Sequence, residues 1–104
     1  MNNVYIMSAN RSAIGGFGGT LKNHCPVDLG TLVAKEAIAR SGYEANEVEH
    51  AVFGNVIHTE PRDMYVSRVI ALQAGMDKAS AALTVNRLCG SGLQAIVSAS
   101  QILM

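Results

Sequence analysis

Thr84–Ile96 reads TVNRLCGSGLQAI. The β-branched pair Thr84 and Val85 closes an apolar run, Cys89 follows four residues later, and Gly90 and Gly92 bracket Ser91 ahead of Leu93, Gln94, Ala95 and Ile96. Strand composition gives way to helix composition across a glycine-containing turn, with a thiol on the turn itself. That junction sets both the fold class and the chemistry to look for.

A helix N-terminus carries about half a positive charge from its unpaired N–H groups. A thiol placed there has its thiolate form favoured. Gly90 and Gly92 carry no side chain, so a bulky acyl carrier can approach the sulfur. Backbone N–H groups of the turn are suited to stabilise an oxyanion. The pattern fits a nucleophilic thiol that carries an acyl group, with Cys89 as the candidate catalytic residue.

Three other readings compete on spacing alone. Most unpaired cysteines are small buried hydrophobes. Gly90-Ser-Gly92-Leu-Gln-Ala95 also fits the G-x-G-x-x-A dinucleotide fingerprint after a strand, although its acidic partner about 20 positions on would fall beyond Met104. Cys-Gly-Ser begins a papain-type signature, which Gly92 and Leu93 break. A thiolate nucleophile wants a base, usually histidine. His24, His50 and His58 are the histidines on offer, and none completes a catalytic set. Cys25 beside His24 resembles half a metal site without a second pair to match it, so no metal is expected.

Working outward, Val4–Met7 is an apolar run suited to a buried strand, and Ser12–Thr20, with four glycines, reads as a loop without the lysine of a phosphate-cradling Walker loop. Pro26 is placed to open a helix and Gly42 to end it, with Leu29, Leu32, Val33 and Ala37 as its apolar stripe. Ala51–Ile57 returns to strand composition, and HTEPRD (His58–Asp63) is a polar loop. A second helix presents Val66, Val69, Ile70, Gln73 and Ala74 on one face and stops at Gly75. Leu83–Val85 is a third strand and Ser91–Met104 a third helix. The order β-α-β-α-β-α predicts an α/β layered sheet with parallel pairs. The third helix has no charged face, which predicts burial on most sides. The sequence stops at Gln-Ile-Leu-Met without a cap, so the architecture is expected to be incomplete at its C-terminus.

Composition narrows the classes. At 104 residues the chain is at most one domain, and its eight basic and eight acidic residues cancel without a basic stripe, so nucleic acid is a poor partner. Hydrophobic residues make up 49% and charged ones only 15%, a balance that suggests burial against more protein. The longest charge-free run, Leu88 to Met104, is 17 residues long and broken by serines and glutamines. A membrane span needs about 20 mostly apolar residues, so no membrane segment is expected. No signal peptide is evident at the start, and two cysteines do not make a disulfide framework, which points to reduced thiols in the cytoplasm.

Asn86–Ile96, NRLCGSGLQAI, resembles the nucleophile motif of thiolases. Ser8–Lys22, SANRSAIGGFGGTLK, is similar to that family's first strand and following loop, and Phe53–Arg68, FGNVIHTEPRDMYVSR, to its second strand and helix start, so the resemblance runs in order along the whole chain. It implies that residues 1–104 are the N-terminal part of the N-terminal half of an acetyl-CoA acetyltransferase or β-ketothiolase. Such enzymes have two similar α/β halves, an inserted loop domain, and a dimeric or tetrameric assembly, so a homo-oligomer is implied. By matching position Cys89 takes the acyl group as a thioester, and its own N–H contributes to an oxyanion hole.

The substrates so implied are acetyl-CoA and other acyl-CoA thioesters, condensed or cleaved, with no separate cofactor. The family's histidine base, second cysteine and most of its CoA-binding loop match none of His24, Cys25, His50 and His58, so no role passes to those residues and the chain alone is expected to be inactive. The uncharged last helix matches a central helix of the family. Arg62 and Asp63 resemble the loop of β-ketothiolases that accept longer chains; the alternative for that loop is an ordinary polar start to the helix or a subunit contact. The reading from another class is a non-catalytic α/β piece or a nucleotide-binding half-domain.

Overall fold

In the computed structural model, which describes residues 2–104, the elements are α1 (Pro26–Ser41), β1 (His50–Gly54), α2 (Val66–Gln73), β2 (Ala81–Val85) and α3 (Ser91–Leu103). Short 3-10 turns at Ala45–Glu47 and Pro61–Tyr65 lead into β1 and α2. Proline and glycine set the limits of α1 as expected. Pro26 stands in its first turn, and Gly42 closes it at φ 83°, a left-handed conformation that glycine adopts without a Cβ penalty.

β1 and β2 are parallel, with His50 opposite Ala81 and Gly54 opposite Val85. The N–H of Asn55 donates to the Val85 carbonyl at 3.0 Å, so pairing runs one step past β1 before the chains diverge. Side chains alternate across a strand, and the two faces take different helices. Ala51 packs with Ala71 and Met76, and Phe53 packs against Val27, Val66 and Ile70, so α2 and α1 cover this face. Gly54 faces the other way, onto Ser91 of α3: a Cβ there would stand 2.6 Å from the Ser91 carbonyl carbon. Helices on both faces of a parallel pair make the layered α/β unit that the element order predicts.

A buried hydroxyl ties α2 to the sheet. Ser67 Oγ accepts the Phe53 N–H at 3.1 Å and donates to the Leu83 carbonyl at 2.8 Å, reaching both strands at once. Thr84 Oγ1 lies 2.8 Å from the same oxygen.

Three expectations are corrected. Val4–Met7 forms no strand and pairs with none among the described residues. The chain just after it runs beside α1, where Ser8 Oγ donates to the Ala37 carbonyl at 2.7 Å and Asn10 Nδ2 to the Val33 carbonyl at 3.1 Å. Strand composition describes a fit to a pleated surface and supplies no partner by itself. The apolar stripe of α1 is rotated: Val27 is fully buried and Ala34 packs with it, whereas Leu32 is 62% exposed. Gly30 explains the rotation, because its missing Cβ makes room for the Ile70 side chain of α2. Finally, α3 is covered by the sheet on one side only, and Leu93, Ile96 and Leu103 are more than half exposed.

Candidate active site

Cys89 sits at the carboxyl end of β2, on the turn into α3, with its side chain exposed. In open α/β sheets this end of the strands is where ligands bind. The turn is held by short local bonds. Asn86 Oδ1 accepts the Leu88 N–H at 3.0 Å, and the Arg87 carbonyl accepts the Gly90 N–H at 3.0 Å. Ser91 Oγ accepts the Arg87 N–H at 2.8 Å and donates to the Leu88 carbonyl at 2.7 Å. Leu88 has φ 47°, the one positive φ outside glycine among the described residues. L-residues avoid that region because the Cβ crowds the following carbonyl. The strained residue immediately precedes the thiol.

The Cys89 N–H has no acceptor among the described residues. Gly90, the N-cap of α3, offers no side chain to the first turn, so the donors at that helix start are not occupied by a capping side chain. An exposed sulfur therefore stands beside uncommitted donors. That combination suits attack on a carbonyl and stabilisation of the oxyanion that results.

The histidines divide by position. His50 opens β1 and is paired with Ala81, which puts it at the opposite end of the sheet from Cys89. His24 precedes α1, and neighbouring Cys25 accepts a hydrogen bond from Arg62 Nη2 at 3.3 Å. Only His58, with Asn55, follows the carboxyl end of β1 and so shares the edge with Cys89; Asn55 Nδ2 lies 3.1 Å from His58 Nδ1. No group of three or more His, Cys, Asp or Glu among the described residues is placed to hold a metal. No helix of the described residues is long and apolar enough to cross a membrane.

The HTEPRD loop is organised by Asp63, which is fully buried. Its Oδ2 accepts the N–H and Oγ–H of Thr59, both at 2.8 Å, and the N–H of Glu60 at 3.1 Å. Asn55 Nδ2 donates to its backbone carbonyl at 3.1 Å. Burial pushes the carboxyl up, but the Thr59 and Glu60 donors and the nearby His58 ring outweigh it and hold the acid below its ordinary value. Arg62 bridges the loop to Cys25, its Nε donating to Glu60 Oε1 at 2.8 Å while Nη2 reaches the Cys25 sulfur. Sequence reading missed Ser91, Leu88 and Gly54 as parts of the site; the G-S-G spacing was the available signal, and it reads as flexible rather than packed.

Residues 4–104 match the family model described as Thiolase, N-terminal domain. The chain belongs to the thiolase family. It is 57% identical over 101 residues to Beta-ketothiolase BktB of Cupriavidus necator, which covers 97% of this chain and 26% of that protein. It is 37% identical over the same share of its length to the mitochondrial 3-ketoacyl-CoA thiolase of Bos taurus, of which it covers 25%. Among solved structures it is similar to the Acat5 thiolase from Ascaris suum in complex with coenzyme A, with TM-score 0.88 and 32% identity over 95% of this chain and 26% of that one. This thiolase chain thus spans about a quarter of the length of the curated relatives it matches.

Proposed function

We propose that this thiolase chain carries the nucleophile of an acyl-CoA acyltransferase and that Cys89 is that nucleophile. The Cys89 thiolate attacks the thioester carbonyl of an acyl-CoA. The carbonyl π pair moves to oxygen, and the oxyanion is received by the free N–H of Cys89. Collapse expels CoA as its thiolate, which takes up a proton, and leaves the acyl group on Cys89 as a thioester. The acyl group then passes to the α-carbon of a second acetyl-CoA. In cleavage the Cys89 thiolate attacks the 3-keto carbonyl of a 3-ketoacyl-CoA instead, and the C2–C3 bond breaks to release acetyl-CoA as an enolate that takes up a proton. A CoA thiolate then removes the acyl group from Cys89 as a new thioester. Deprotonating the α-carbon of the second acetyl-CoA needs a base, and His24, Cys25, His50 and His58 are assigned no part in it.

The observation that carries this reading is the exposed Cys89 on a strand–helix turn with its own N–H uncommitted, in a chain similar to a β-ketothiolase along nearly its whole length. The covalent chemistry comes from the thiol, so the proposal includes no cofactor beyond the CoA thioester substrates. A homo-oligomer is part of the same proposal and rests on the membership of the thiolase family alone. So is a reducing, cytoplasmic setting, supported by two free cysteines.

The test is the intact mass of the whole gene product after incubation with acetyl-CoA, beside a Cys89→Ala variant. One acetyl group on the parent, mapped to Cys89, and none on the variant is the expected result. An unmodified parent, or acetylation that survives in the variant, would overturn the assignment.

A further inference from the structure

We propose that Ser91 is a positioning residue that aims the Cys89 N–H at the substrate. This rests on the reading of Cys89 as the acyl-accepting nucleophile. The argument starts from a covalent constraint. The Leu88 carbonyl and the Cys89 N–H belong to one peptide unit, and in a planar trans peptide they point in opposite directions. Whatever draws the carbonyl inward aims the N–H outward.

Ser91 draws it inward. Its Oγ donates to the Leu88 carbonyl at 2.7 Å, and its backbone N–H donates to the same oxygen at 3.1 Å. The hydroxyl is itself oriented, because its oxygen accepts the Arg87 N–H at 2.8 Å. One buried hydroxyl thus pins groups on two successive residues just ahead of the nucleophile. Without it the peptide has reason to turn, since Leu88 is held at φ 47°.

The serine does not float. It is 5% exposed, and its backbone lies against Gly54, where even a Cβ would stand 2.6 Å from the Ser91 carbonyl carbon. Position is therefore relayed from the end of β1 through Gly54 to Ser91, and from Ser91 through the Leu88 carbonyl to the Cys89 N–H. The outward N–H is left without an acceptor among the described residues, as an oxyanion donor should be before substrate arrives.

Alkylation and acylation separate this role from general packing. Iodoacetamide attack on sulfur forms no oxyanion, whereas acetyl transfer from acetyl-CoA does. In the whole gene product, Ser91→Ala is expected to slow acetylation of Cys89 by about tenfold to a hundredfold, below the cost of deleting a donor outright because the Ser91 N–H still holds the carbonyl. Alkylation of Cys89, followed by peptide mass, is expected to change no more than about twofold, since sulfur attack asks nothing of the N–H. Equal effects on the two rates, or none on either, would overturn the proposal. If Ser91→Ala does not fold, Ser91→Thr keeps the hydroxyl and should keep the parent's ratio of rates; a folded Thr variant with a depressed ratio would count against the idea. Should the parent take no acetyl at all, the nucleophile reading fails separately. The aim of the N–H is then read from amide exchange at Cys89, which Ser91→Ala should alter severalfold, and an unaltered rate would count against Ser91.

Discussion

Asp63 and Thr59 are joined twice through one oxygen: Asp63 Oδ2 accepts the Thr59 N–H and the Thr59 Oγ–H, each at 2.8 Å. In Asp63→Asn the amide oxygen can still accept the Thr59 and Glu60 donors, but the charge is lost and the NH2 takes the place of the buried Oδ1, which has no partner, so a cost of about 1–3 kcal/mol is expected. The pH dependence follows from the direction of the shift. The folded carboxyl lies below its ordinary value of 3.8, so its contribution is complete above that value and is lost as pH falls through it toward the folded value. The stability gap between parent and Asp63→Asn, measured by urea unfolding, should be widest near neutrality and narrow below about pH 4. A gap that stays constant through that range would show the carboxylate charge is not what is stabilised.

Gly54→Ala tests the contact between β1 and α3. The new Cβ meets the Ser91 backbone at 2.6 and 2.7 Å, and backbone cannot swing aside as a side-chain tip can. A loss of about 1–3 kcal/mol in chemical denaturation is expected, the range for overpacking a closed contact. An unchanged midpoint would mean that α3 slides along the sheet at little cost.

Gly30 lies where α1 crosses α2, and a Cβ there would collide with Cδ1 of the buried Ile70. Alanine in a helix interior gains about 0.5–1 kcal/mol over glycine, yet Gly30→Ala alone should destabilise by about 1 kcal/mol because overpacking outweighs propensity. Ile70→Val deletes the colliding methyl. In that background Gly30→Ala should become neutral or stabilising, a coupling of about 1–2 kcal/mol in a double-mutant cycle. Additive effects would place the collision elsewhere.

Leu88→Gly relieves the left-handed backbone before Cys89. The conformation costs an L-residue about 1–2 kcal/mol, and glycine gives back about 0.5–1 kcal/mol as extra freedom in the unfolded chain. Leu88 is 68% exposed, so little packing is lost. Thermal unfolding should show a net gain of about 0.5–1 kcal/mol, the difference between those two effects. A net loss would mean that the exposed leucine is held by contacts that offset the strain.

Local chemistry was readable from the residues alone. Pro26 and Gly42 bound α1 because a fixed φ and a left-handed cap act on their own backbone, whatever surrounds them. The βα junction at Val85–Ser91 was readable for the same reason, and with it the thiol at Cys89. The face of α1 was not. Its apolar residues span a broad arc, and the arc that is buried was selected by Ile70 entering over Gly30. The second helix shows the same limit: Gln73, placed on its apolar face by periodicity, is exposed, while Ser67 is buried by its bonds to both strands.

The sequence by itself determined the class of layers, the junction that carries Cys89 and the motif that places the chain among thiolases, because each depends on residues adjacent in the chain. Only the tertiary structure decided that Val4–Met7 goes unpaired, that Ser91 and Asp63 are interior, and that the Cys89 N–H has no acceptor among the described residues. Those outcomes depend on which backbone group of a distant segment a polar atom meets. A serine between two glycines says nothing of that until β1 is laid against it.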